Sequence, residues 1–208
     1  MDIDEVCRQA TAHRYGGRVA AGHDTKPSAL PPERLAEAAL RLRDAGVAVT
    51  ALPSTDLFLM GRGVSHNVPR GVTPVHRLSA HGVTCSLATN NVLNPFTPFG
   101  DCSLVRMANL YANVVQAGTP GDLAACFDLV TAQPARLMNF ADYGIAVGNP
   151  PIWSCWTVPI RRWRLAKFRR RSRATSGDAG VLCARRLRCN RRIKCQSRDK
   201  MSDCFANR

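Results

Sequence analysis

The strongest constraint on what this chain can fold into is a pair of short apolar runs, residues 47–52 (VAVTAL) and 83–88 (VTCSLA). The first is apolar without alternation, as a strand is when both faces of a parallel sheet are covered. Each run follows a glycine and opens into a polar, proline-held loop, with helical spacing beyond it. A third unit has the same order: residues 18–22 (RVAAG) end at His23, and Pro31 and Pro32 then open a helix to Asp44. In that helix Leu35, Ala36, Ala39, Leu40 and Leu42 form the core-facing stripe. Helical spacing is also predicted over 2–13, 75–81, 103–117 and 122–131, with a turn or helix at 134–140. Residues 53–56 read as a strand exit, and 61–74 as a functional-length loop rich in Gly, His and Pro. The fold class is therefore α/β, part of a (β/α) barrel or of an open doubly wound sheet. Three strands cannot close a barrel. They leave two strand edges and one sheet face uncovered. Parallel sheets carry their chemistry at the C-terminal strand ends, where His23, Asp56, Asn90 and Asn91 fall.

Charge divides the chain in two. Residues 1–148 hold twelve Lys+Arg and twelve Asp+Glu, so the net charge of +14 lies wholly in the last 60 residues. All three tryptophans and five of the nine cysteines lie there too. The expected organisation is a folded domain over 1–150 and a basic, Arg/Cys-rich tail over 151–208. No apolar run reaches membrane-span length, so no membrane partner is expected. The acidic first residues lack the order of a signal peptide. The expected location is the cytoplasm, with the cysteines as thiols.

Five separated segments of 1–150 carry a resemblance: residues 17–25 (GRVAAGHDT), 51–62 (ALPSTDLFLMGR), 69–73 (PRGVT), 86–101 (SLATNNVLNPFTPFGD), and 131–139 (TAQPARLMN) with 142–148 (DYGIAVG). In this order they resemble the C-terminal half of the amidohydrolase superfamily, close to its cytosine deaminase-like branch. The resemblance implies the last strands and helices of a TIM-like (β/α)8 hydrolase barrel. It implies a divalent metal, zinc or iron, in full-length relatives. The metal activates water for hydrolysis of a C–N bond in a nitrogen heterocycle or cyclic amide.

By position, the resemblance makes His23 the sixth-strand histidine, the catalytic candidate. It places Asn90 where the family has its metal-binding, proton-handling Asp, and Asn91 beside it against the substrate ring. An amide is a neutral ligand and cannot act as a base, so Asn90 departs from the pattern. His13, His23, His66, His76 and His81 are isolated, with no His-x-His pair. The resemblance therefore implies that most of the metal site is missing. This chain alone is expected to bind metal poorly and to be inactive.

The residues also permit plainer readings. His23 can be a loop histidine, and Asn90 and Asn91 can be turn residues. His66, His76 and His81 read as solvated surface. Asp56 and Asp101 can cap helices as readily as bind a ligand.

Residues 161–173 (RRWRLAKFRRRSR) have the charge and interleaved aromatics of a nucleic-acid arm, which gives the alternative function. Cys183, Cys189, Cys195 and Cys204 lack zinc spacing. A third reading accounts for more. Shifted back by one base, codons permitted for residues 150–157 (PPIWSCWT) encode ADLVVLD. The resembled family places that segment after the glycine turn found here at 144–149. The tail is thus expected to be an out-of-frame product, disordered and able to hold nucleic acid only non-specifically. Remaining partner readings are a separately encoded N-terminal half or a homo-oligomer.

Overall fold

The computed structural model describes residues 2–150, together with the backbone of 153–155 and 173–175. Helix α1 (Asp2–Ala12) carries Asp2, Asp4 and Glu5 in its first turn and buries Ile3, Cys7 and Ala10. Acidic groups at a helix N-terminus meet the positive end of its dipole. Strand β1 (Val19–Gly22) follows, then a short 3-10 helix at Lys26–Ala29. Helix α2 (Pro32–Asp44) uses prolines where no amide hydrogen is needed and buries Leu35, Ala38, Ala39 and Leu42. Strand β2 (Val47–Ala51) leads into α3 (Pro53–Leu59). Helix α4 (Val75–Ala80) precedes β3 (Cys85–Leu87), and α5 (Leu104–Val114), α6 (Pro120–Asp128) and α7 (Ala132–Leu137) complete the domain.

The three strands form one parallel sheet in the order β1-β2-β3. Val19, Ala20, Ala21 and Gly22 lie opposite Val47, Ala48, Val49 and Thr50. Val49, Thr50 and Ala51 lie opposite Cys85, Ser86 and Leu87. This register gives the two faces different chemistry. Val47, Val49, Ala51, Cys85 and Leu87 join the core with Leu42, Leu78 and Tyr111 from the helices. Gly22, Thr50 and Ser86 share the other face, where the Thr50 and Ser86 hydroxyls bond at 2.8 Å. The expected partial-barrel sheet is thus present, with helices packed on one face and small or polar residues on the other. β3 is not left bare on its far side, because Leu87 N–H donates to the Leu129 carbonyl at 2.9 Å.

Two elements differ in detail from the expectation. Residues 53–56, read as the strand exit, form the first turn of α3. Pro53 presets the helical angle there, and the Asp56 side chain reaches back to the Leu52 N–H at 3.3 Å. Helix α6 begins at Pro120, two residues before its expected start. Thr119 and Asp122 form a reciprocal capping box that fixes the earlier boundary.

The tail readings mostly lie outside the described residues. Only two three-residue strands are described there, Trp153–Cys155 and Arg173–Thr175, paired antiparallel. The basic run 161–173 and the Cys183, Cys189, Cys195 and Cys204 series otherwise fall outside them. Cys7, Cys85, Cys102 and Cys126 are free thiols. Burial pushes Cys85 up to about 12 and Cys126 up to about 11, which keeps both protonated. Among the described residues no helix is long and apolar enough to cross a membrane.

Candidate functional site

The C-terminal ends of the three strands bring together residues far apart in the chain. His23 follows β1 directly, Asp56 lies in α3 beyond β2, and Asn90 lies in the loop after β3. His23 Nδ1 is 2.9 Å from Asp56 Oδ1, and His23 Nε2 is 2.6 Å from Asn90 Nδ2. His23 therefore bridges a carboxylate and an amide, one on each ring nitrogen. The Asp56 side chain is only 5% exposed, whereas that of His23 is 49% exposed. The carboxylate is the fixed, buried end of this chain of contacts, and the imidazole is its solvent-facing end.

The backbone contributes to the aim. His23 has φ 58 and Asn90 has φ 55, both left-handed. Asparagine and histidine adopt this conformation more often than most residues, though not as freely as glycine. The turn of chain at each position swings the two side chains toward each other. Asn91, the other predicted substrate residue, does not join them: its Oδ1 accepts from Asn94 Nδ2 at 2.7 Å. Asn94 Oδ1 in turn accepts from the Phe96 and Thr97 amides, folding residues 91–97 into a compact turn. The Thr97 hydroxyl bonds that of Thr55 at 2.7 Å, which pins this turn to α3.

The long loop is tied to the same end. The Thr73 hydroxyl donates to the Asp24 carbonyl, and Arg70 reaches the Leu57 carbonyl at 3.0 Å. Phe58 meets Phe99 edge-on with centroids 5.5 Å apart, and Arg62 lies over Phe58. Asp24 itself is partly buried, and one oxygen of its carboxylate has no hydrogen-bond partner. Burial raises its pKa, with Lys26 opposing.

The other histidines sort differently. His66 bonds its neighbour Asn67 at the surface, and His81 ends α4. His76 is not the solvated surface residue that its sequence context predicts. It is half-buried against the fully buried Tyr111, whose hydroxyl lies 2.7 Å from its Nδ1 and accepts its backbone N–H at 3.1 Å. Burial holds His76 below the ordinary imidazole value. Asp101 is not the cap of α5: Ser103 is, its hydroxyl accepting from the Arg106 N–H, while Asp101 accepts from the Ser103 N–H and pairs with Arg106 at 2.9 Å.

Asp56 is the site residue whose role the sequence left open. Its closeness to His23 depends on β1 and β2 being adjacent and in register, which spacing along the chain does not state. Among the described residues no three His, Cys, Asp or Glu side chains converge as a metal site. His23 and Asp56 supply two such groups and Asn90 a neutral amide, a set too small and too weakly charged to hold a divalent cation by itself. A cavity of about 350 Å³ lies at the opposite, N-terminal end of the strands, lined by Arg18, Arg43, Gly46, Arg136 and Asn139 among others. His23, Asn90 and Asn91 are not part of it.

The domain has counterparts among known proteins. The model of the amidohydrolase family matches residues 2–150. A pterin deaminase from Rhizobium rhizogenes strain K84 is 34% identical over 166 residues, covering 78% of this chain and 37% of that protein. An N-isopropylammelide isopropyl amidohydrolase from Pseudomonas sp. strain ADP is 26% identical over 149 residues, covering 71% and 34%. The chain thus spans little more than a third of the curated relatives that it matches. Among solved structures, the 5-methylcytosine deaminase from Klebsiella pneumoniae liganded with 5-fluorocytosine superposes with a TM-score of 0.76 at 22% identity, covering 84% of this chain and 42% of that one. The atrazine chlorohydrolase from Arthrobacter aurescens TC1, complexed with zinc, gives a TM-score of 0.56 at 20% identity, covering 78% and 35%.

Proposed function

This chain belongs to the amidohydrolase family, and from that premise we propose that it is the closing part of a deaminase-like hydrolase barrel. The reaction is hydrolysis of a C–N bond in a small nitrogen heterocycle or cyclic amide, of the kind cytosine deaminases carry out. The substrates named for the pterin deaminase and the 5-methylcytosine deaminase support a planar, nitrogen-rich ring. The observation that carries the reading is the 2.6 Å contact between His23 and Asn90, which joins the first and third strand ends of the matched domain.

In this reading His23 orients the attacked group, with the carboxylate of Asp56 steadying its ring. The amide of Asn90 offers both a donor and an acceptor, the pattern that a heterocycle edge of ring nitrogens and carbonyls requires, whereas Asn91, its Oδ1 taken by Asn94, adds only its NH2. The amide of Asn90 cannot take a proton from water, so that step falls to a group outside these residues. A divalent metal, zinc or iron, supplies a nucleophilic hydroxide in this kind of enzyme. The residues present here do not make its site. We therefore read the chain as inactive alone and completed by an N-terminal portion of the same barrel. The free thiols of Cys7, Cys85, Cys102 and Cys126 support a cytoplasmic setting.

The test is direct. The purified chain, with added zinc or iron and a panel of pyrimidines and pterins, is expected to release no ammonia above a His23→Ala control. Adding an N-terminal amidohydrolase portion that carries His-x-His is expected to give turnover that His23→Ala abolishes. Turnover by the chain alone, or none after completion, overturns the reading.

We read residues 151–208 as an out-of-frame product with no selected partner. Sequencing the locus and its transcript tests this, and an intact frame through codon 150 removes it. The second reading is nucleic-acid binding, favoured by seventeen Lys+Arg against three Asp in the last 60 residues. Sequence-preferring, salt-dependent binding that is lost on deleting 151–208 would support it.

A further inference from the structure

We propose that Asp56 is a positioning residue that fixes His23 as the Nδ1–H tautomer, so that Nε2 is the basic atom turned toward Asn90 and the open strand ends. This rests on the functional reading above for its consequence, but not for its geometry.

The argument starts from the fixed end. Asp56 Oδ2 accepts from the Leu52 N–H at 3.3 Å, which sets the carboxylate plane and leaves Oδ1 to face His23 at 2.9 Å. An ionised carboxylate only accepts hydrogen bonds, so the hydrogen in that contact belongs to His23 Nδ1. A neutral imidazole carries one N–H, so Nε2 then holds the lone pair. Asn90 meets it with Nδ2, a donor, at 2.6 Å. Both contacts are satisfied by one assignment: Asn90 N–H to Nε2, and Nδ1–H to Asp56.

The other tautomer fails twice. It would set a nitrogen lone pair against a carboxylate oxygen and an N–H against the amide NH2 of Asn90. Reversing the Asn90 amide relieves the second conflict but leaves the first. A residue that served only to cap α3 would need the Leu52 contact alone. The second oxygen, aimed at the imidazole, is what marks a role toward the site. The left-handed backbone at His23 is consistent with this, because such a conformation persists where surrounding contacts hold it.

The experiment uses the full-length chain, uniformly labelled with 15N, at an alkaline pH where ordinary imidazoles are neutral. Long-range 1H–15N correlation spectra report which ring nitrogen of each histidine is protonated, and the His23→Gln variant identifies the His23 pattern among the five. The expected result is an unprotonated Nε2 on His23. In Asp56→Asn, the side-chain oxygen can keep the Leu52 N–H while the amide NH2 turns to Nδ1. The expected result there is inversion to the Nε2–H tautomer, with far-ultraviolet circular dichroism unchanged. Asp56→Glu, which keeps a carboxylate, is expected to restore the original tautomer at least in part.

A protonated Nε2 on wild-type His23 overturns the proposal whether or not the variants fold. An unchanged tautomer in a folded Asp56→Asn overturns it as well. Absence of turnover in the completed enzyme would sink the functional reading and leave this tautomer standing. Conversely, an enzyme that turns over with His23 in the other tautomer sinks only this proposal.

Discussion

Asp56 and His23 are 33 positions apart, yet a carboxylate oxygen of one lies 2.9 Å from a ring nitrogen of the other. The contact couples the exit of β1 to the first turn of α3. Because Asp56 is buried and also accepts from the Leu52 N–H, its removal leaves a backbone donor without a partner. Asp56→Ala is expected to destabilise folding by about 1–3 kcal/mol, the cost of stranding a buried polar group. His23→Ala, at the half-exposed end, should cost less than about 1 kcal/mol. Urea titrations of both variants check the order, and equal losses would contradict it.

Tyr111 is fully buried in the core, and its hydroxyl serves both the backbone and the ring of His76. Removing only that oxygen tests the polar contact apart from packing. Tyr111→Phe is expected to cost about 1–3 kcal/mol, whereas Tyr111→Ala adds a cavity and should cost about 3–5 kcal/mol. Thermal and urea unfolding of the pair measure the difference.

The burial of His76 sets a pH dependence. Burial lowers the His76 pKa in the folded state relative to its ordinary 6.5. Between the lowered folded value and 6.5 the unfolded chain binds more protons, so stability from this group rises with pH across that window. It is lost as pH falls and is flat above the window. His76→Gln should flatten this part of the stability profile, and an unchanged slope would assign it to other groups.

Gly46 follows α2 with φ 62, and a Cβ built there would lie 2.8 Å from Gly16 Cα and from Gly17 N. Both the left-handed angle and the backbone contact exclude a side chain. Gly46→Ala should cost more than the roughly 1–2 kcal/mol of the left-handed conformation alone, because neither neighbour is a flexible side-chain end. Unfolding midpoints of Gly46→Ala and the unstrained control Gly63→Ala, whose Cβ meets open space, make the comparison.

Much of this fold was legible in the sequence because its elements announce themselves locally. The uninterrupted apolar run at 47–52 is a central strand, and the stripe through Leu35, Ala39 and Leu42 faces the core. Helix boundaries were less legible where side chains set them: Asp56 and Asp122 each reach back to a backbone N–H, and a polar residue in a turn looks the same without that bond. His23 and Asn90 could be placed on strand ends by resemblance, but their contact comes from the order β1-β2-β3 and the parallel register. Asp56 and His76 were underread for one reason. Each takes its character from a residue at least 33 positions away, and no window along the chain contains both partners.

The left-handed turns at His23 and Asn90 bear on how such a site is kept or lost. Glycine would relieve the backbone at His23 and take away the imidazole in the same step. A lineage freed from the need for chemistry therefore has a downhill route away from this histidine. Retention of His23 in sister sequences is thus a sensitive gauge of whether the reaction is still demanded of them.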